Sequence, residues 1–221
     1  LKIKPSADII QNDYGKLNVE IYGGMILNTW FDRPLSIAGK VVLKGQNCYQ
    51  PDVKFVDFKR PLMIIPNLAI HMDRSINSGK SISKQKEMLP IMGMANRETN
   101  ENELFELMAK KLNIDKENIL DYELYLYPVD KGQLVGINAD FIVTPRQDDL
   151  IMVYAASEAL INSPANDTTK MIAFFDAEEE TNSTQGGADT PFLRNTLTKI
   201  VKSIGGDEEN LIRLISRSFA V

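Results

Sequence analysis

Two groups of carboxylates stand where chemistry could be done. The first is Asp148-Asp149, at the end of Thr144-Pro145-Arg146-Gln147. The second is Asp176, Glu178, Glu179 and Glu180, just after the run Lys170-Met171-Ile172-Ala173-Phe174-Phe175. Apart from Lys170 that run is apolar, as a strand buried on both faces of a parallel sheet should be. A carboxylate at the rim of such a core is costly unless its charge is compensated, so a cation is expected beside it. Hard and borderline divalent metals accept oxygen ligands of this kind. In open α/β sheets, ligands bind in loops at the carboxyl ends of strands. Each acidic group here closes a strand-like segment, and a helix-like run lies between them. Taken alone, residues 178–180 read as a solvated acidic turn. The pairing of two such groups is what argues for a metal site.

The elements that must hold these groups follow from periodicity. From Gly132 the pattern is strand, helix, strand, helix. Residues 133–143 lead into the first carboxylate loop, and 150–161 form an apolar helix ended by Asn162-Ser163-Pro164. Residues 171–175 are the central strand, and Gly186-Gly187 is a turn. A helix over 190–204 has Pro191 in its first turn, with Gly205-Gly206 beyond its end. Glu208–Arg217 is a further helix.

The first half has a different texture. Residues 1–8 read as a strand cut by Pro5, and 16–22 alternate as a strand with one covered face. Residues 25–31 are strand-like, with Trp30 as a packing anchor. From Leu35, short β-rich runs are punctuated by Gly39, Gly45, Pro51 and Pro61, which suits a compact barrel or sandwich. Asn67 reads as the N-cap of a short helix, and 75–85 as a mobile loop. Residues 100–112 carry apolar positions at helical spacing with Lys110-Lys111 in the last turn, and 122–127 form a strand. The texture divides the chain into 1–33 and 129–221, parts of an α/β domain, and 34–128, an inserted β-rich domain.

The net charge of −5 argues against a general nucleic-acid surface, and no apolar run could span a bilayer as a helix. Cys48 is the one cysteine, which excludes an internal disulfide and points to a reducing, cytoplasmic compartment. His71 is the one histidine, few for a complete zinc enzyme.

Five segments carry a family resemblance. They are Tyr22-Gly23-Gly24 with Thr29-Trp30-Phe31-Asp32-Arg33; Ile65-Pro66-Asn67-Leu68-Ala69-Ile70-His71; Phe141-Ile142 with Pro145-Arg146-Gln147-Asp148-Asp149; Phe175-Asp176-Ala177-Glu178-Glu179; and Gly187-Ala188-Asp189 with Phe192-Leu193. In this order they resemble the metallo-aminopeptidases that include aspartyl aminopeptidase and vacuolar aminopeptidase I, in a bacterial-type form. The resemblance implies an α/β fold: part of a zinc-peptidase-type sheet flanked by helices and interrupted by a β-rich domain that mediates subunit contact. It implies removal of single residues from peptide N-termini at a pair of divalent metal ions, expected to be zinc, roughly 3.5–4 Å apart. It also implies dimers assembled into a closed tetrahedral dodecamer.

Residue by residue, Asp148 matches a carboxylate shared by two metals. Glu179 matches a terminal metal ligand. Glu178 matches the general base that moves a proton from the attacking water to the leaving amine. Asp149 stands where the family has Asn, and Glu180 where it has a small or apolar residue. His71 falls in the β-rich domain, where a neighbouring subunit's active site would meet it. An imidazole donor there could hold the substrate carbonyl oxygen as it becomes an oxyanion. Its plainer reading is a capped or partly buried histidine on a short helix.

The family's remaining metal ligands lie before a segment like Leu1-Lys2-Ile3-Lys4-Pro5 and after one like Ser218-Phe219-Ala220-Val221. The chain is therefore expected to be an internal fragment with part of the metal site, inactive by itself. A non-catalytic assembly module, or an inactive relative, is the alternative.

Overall fold

The structure, a computed structural model, describes residues 1–95, 102–180, 182–184 and 186–219. It separates into two units, Leu1–Pro145 and Arg146–Val221.

In the first unit, strands β1 (Lys2–Gln11), β2 (Tyr14–Glu20), β3 (Leu35–Asn47), β4 (Gln50–Asp57), β5 (Ile91–Met94) and β6 (Ile119–Pro128) make one antiparallel sheet in the order β4-β3-β6-β1-β2-β5. Side chains alternate between the faces of a strand. Leu35, Ile37, Val41 and Leu43 of β3 are therefore buried together, with Leu124 and Leu126 of β6 and Leu17 and Val19 of β2. Helix α1 (Glu103–Leu112) covers this face with Leu104, Met108 and Ala109, and Phe105 meets Tyr122 edge-on at 5.7 Å. The Asp8 carboxylate accepts the Leu104 amide at the first turn. Asn113 in left-handed geometry closes the other end. Asn100 and Glu101, expected to open this helix, lie outside the described residues. A short hairpin, β7 (Gln133–Val135) and β8 (Phe141–Val143), ends the unit with both strands exposed.

Among the described residues the second unit holds three helices, α2 (Gln147–Ile161), α3 (Phe192–Ser203) and α4 (Glu208–Arg217). Their boundaries follow local chemistry. The Pro191 carbonyl accepts the Asn195 amide just ahead of α3, and Gly205 takes φ 82° beyond its end. Asp207 and Asn210 bond each other's backbone amides as a capping box on α4. Helix α2 is apolar on every side yet buries no residue. A helix of that composition belongs inside a protein core. Among the described residues, no helix is long and apolar enough to cross a membrane.

Four expectations are corrected. Residues 25–31 are not a strand: Leu27–Trp30 is a 3-10 turn fastened by the Thr29 hydroxyl on the Ile26 carbonyl. Asn67 does not cap a helix; it donates its amide and side-chain N–H to Asp32. The 75–85 stretch has a 3-10 turn at Ile76–Ser78, and Lys80 within it is paired to two carboxylates. Residues 171–175 form no strand, and Met171, Phe174 and Phe175 are exposed. A strand needs a neighbour for its backbone N–H and C=O groups, and no described strand pairs with this run.

Contacts divide the chain into its two units after Pro145. Strands β1 and β2 share a sheet with β3 to β6. Texture reads local composition, whereas pairing is decided at strand edges far apart in sequence. The chain does pass twice through one place at the expected boundaries. Arg33 Nε and Nη2 lie 2.9 and 2.8 Å from Asp130 Oδ2, and the Val129 amide donates to the Pro34 carbonyl.

Candidate metal centre

The Asp148 carboxylate sits where backbone geometry is least helical. Arg146 ahead of α2 has φ 62°, Asp148 has ψ 115°, and the Asp148–Asp149 peptide is cis. Regular helix begins only after this step. The carboxylate therefore lies at the helix's N-terminal end, where the macrodipole favours negative charge.

Glu178 and Glu179 occupy a closed loop. The Asp176 amide donates to the Gly186 carbonyl at 3.0 Å, and the Asp176 carboxylate accepts the Ala177 amide at 2.8 Å. Ala177 turns the chain at φ 60°. Across the loop, the Asp189 amide donates to the Asn182 carbonyl at 2.9 Å and the Gly187 amide to Thr184 at 2.8 Å. The Thr190 hydroxyl donates to the Gly187 carbonyl at 2.7 Å, just ahead of α3. Phe175 and Phe192 touch edge-on at 6.2 Å, tying the start of the loop to the start of α3. The second carboxylate group and the Gly187-Ala188-Asp189 segment are thus one structure.

Asp148, Glu178 and Glu179 are all exposed, and among the described residues none has a Lys or Arg partner. Carboxylates left free in this way suit a divalent cation as donor set. The structure does not gather them: among the described residues, no three His, Cys, Asp or Glu side chains come together as a metal cage. Asp149 and Glu180 are exposed beside them.

His71 belongs to the first unit. It is exposed at the crest of a turn in which the Met72 and Asp73 amides both donate to the Ala69 carbonyl, at 2.8 and 3.2 Å. It lies on no helix, short or long. Sequence reasoning missed the group at the foot of this turn. Asp32 binds the Asn67 amide at 2.9 Å and its side chain at 2.8 Å, and this bonding holds the Asp32 carboxyl below the usual range. The signal was present as two motif segments, one carrying Asp32 and the other Asn67.

A chain of mixed α/β build, with exposed carboxylates at the start of one helix and in a loop ahead of another, offers oxygen donors of the kind a metallohydrolase would need. Comparison with known proteins makes this specific. The family described as aminopeptidase I zinc metalloprotease (M18) matches residues 1–221. The probable M18 family aminopeptidase 2 of Clostridium acetobutylicum is 47% identical over 222 residues, which cover 100% of this chain and 51% of that protein. Its counterpart in Clostridium novyi is 45% identical over the same shares. Among solved structures, the Ape4 and Nbr1 complex matches with TM-score 0.83 and 35% identity, over 95% of this chain and 44% of that one. Chaetomium thermophilum mApe1 matches with TM-score 0.78 and 29% identity, over 91% and 48%. The chain belongs to the M18 family of zinc aminopeptidases, and it spans about half the length of the curated relatives it matches.

Proposed function

We propose that the protein carrying this chain is a metal-dependent aminopeptidase that removes residues one at a time from peptide N-termini. The observation that carries this reading is the family match over residues 1–221, taken with the exposed carboxylates of Asp148, Glu178 and Glu179. Asp148 and Glu179 would hold a pair of divalent ions, zinc by family, with Asp148 shared between them. When bound, such ions polarise a carbonyl oxygen and acidify water. Glu178 acts as general base: its carboxylate takes a proton from the attacking water and gives it to the departing amine. Adjacent carboxylates can take the two roles because successive residues of a turn point different ways. Asp149 supports the Asp148 end, and Glu180 remains in solvent.

His71 is proposed as the donor that holds the developing oxyanion of a substrate in a neighbouring subunit. The reading includes self-association into dimers and a dodecamer; one structure of like fold is the S. cerevisiae mApe1 dodecamer. The β-rich stretch 34–128 would make the subunit contact. Peptides are the proposed substrates, with no role for nucleic acid or membrane. The lone, exposed Cys48 fits a reducing cytoplasm. The 221-residue chain by itself is expected to be inactive, because three carboxylates and one histidine far along the chain from them do not complete a dinuclear site. Hydrolysis of a leucyl or aspartyl anilide by that chain at the full enzyme's rate would refute this point.

The test of the whole reading is Glu178→Gln beside Glu179→Gln in the full-length enzyme. Glu178→Gln should keep metal and lose at least the ~10²–10⁴-fold that positioned proton transfer contributes. Glu179→Gln should lose metal. The opposite pattern would reverse the two roles, and normal turnover in both would remove the reading.

A further inference from the structure

The turn that carries His71 is fastened at both ends, and its crest is bare. Leu68, Ile70, His71 and Met72 are all exposed. Large apolar side chains in solvent gain nothing for the isolated fold and mark a surface that meets something.

At the entering end, Ile65 is fully buried and its carbonyl accepts the Asp32 amide at 2.9 Å. The Asp32 carboxylate then turns back. Oδ1 takes the Asn67 amide at 2.9 Å and Oδ2 takes Asn67 Nδ2 at 2.8 Å. Two parallel bonds to one ionised carboxylate fix direction as well as distance. Asp32 itself adopts φ 56°, a left-handed geometry uncommon for a residue with a side chain.

At the leaving end, Lys80 Nζ lies 2.5 Å from both Asp73 Oδ2 and Glu87 Oε1. Asp73 also accepts the Ser75 hydroxyl at 2.8 Å, and Glu87 accepts the Ser83 amide at 2.8 Å. Glu87 is followed by Met88, which is fully buried. The ammonium thus bonds the end of the turn to a residue anchored in the core. A cation shared by two carboxylates, each with a second donor, is a network, which holds better than an isolated surface pair.

We propose that Asp32 and Lys80 are positioning residues for His71: by holding both ends of the 66–87 segment they fix where the turn presents its imidazole. This rests on the proposed role of His71. Neither residue touches substrate, and both act through the histidine.

The experiment uses the full-length enzyme with Asp32→Ala and Lys80→Met, each in the parent and in a His71→Ala background. A displacement of about 1 Å at a reacting centre can cost about 10²-fold. Each substitution should therefore lower kcat by up to about 10²-fold in the parent and change it little once His71 is gone. Hydrogen exchange over residues 66–87 should quicken in both variants. The exchange Asp32→Asn with Asn67→Asp should recover kcat, because an asparagine at position 32 can accept the amide of position 67 and donate to the new carboxylate there. Lys80→Arg should recover it in part. Effects that multiply with His71→Ala, or a loosened segment with unchanged kcat, would overturn the positioning role while leaving His71 in place. A His71→Ala enzyme with normal kcat would remove the role of His71 and the positioning role with it.

Discussion

Gly187→Ala tests how the acidic loop is built. Gly187 is buried and holds the loop by its own amide, on Thr184, and its own carbonyl, under Thr190. A Cβ there would lie 2.2 Å from the Asn182 carbonyl oxygen, 2.6 Å from its carbon and 3.0 Å from the Thr184 oxygen. These are backbone atoms, so no rotamer change relieves the clash. The Asn182 carbonyl must retreat by about 0.8 Å to reach 3.0 Å, and that carbonyl is the acceptor for the Asp189 amide. Overpacking costs about 1–3 kcal/mol. The lost hydrogen bond adds about 0.5–1.5 kcal/mol. A total of about 1.5–4.5 kcal/mol falls on a surface loop, which yields locally before the fold does. If Glu178 and Glu179 face the metals, binding must restore the strained loop, and zinc affinity should fall by about 10- to 1,600-fold. Gly186→Ala is the control. Its nearest neighbour would be the Asp176 Cβ at 3.9 Å, so only its φ of 92° matters. Left-handed geometry costs a side chain about 1–2 kcal/mol, or about tenfold. Zinc competition against a chromophoric chelator on full-length enzyme measures both. Equal affinities in Gly187→Ala and parent, or a larger loss in Gly186→Ala, would mean that the close packing at Gly187 does not hold Glu178 and Glu179 in place.

Two other outcomes are expected. Co-expressed His71→Ala and Glu178→Gln subunits, each strongly impaired alone, should regain part of the activity; no recovery would place His71 in its own subunit's site or in none. Hydrogen bonds hold the carboxyls of Asp32, through Asn67, and of Asp73 and Glu87, through Lys80, below the usual range. A folded value below the unfolded one lends stability that is present above the unfolded value and lost as pH falls through the folded one. Exchange protection of residues 66–87 should thus decline below about pH 4, ahead of β3 and β6, and a decline on raising the pH from neutral would contradict it.

Much of this protein was written locally. The alternation in 16–22 and 122–127 marks which side chains enter the core, and α4 has the bounds read for it because its cap residues lie within one turn of each other. The order of the five motif segments carried the family. The sequence also carried the candidate carboxylates, since a strand-like apolar run ending in acid is a local pattern. Tertiary structure decided what depends on partners. Asn67 looks like a helix cap until Asp32, 35 residues earlier, claims both its donors. Which strands flank β1 and β2 is decided the same way, by β6 and β5 taking their edges. Residues 171–175 have a strand's composition, but composition supplies no hydrogen-bonding neighbour, and the described residues provide none. A side chain's polarity is fixed by its own atoms, whereas its bond is fixed by whatever the folded chain brings within about 3 Å of it.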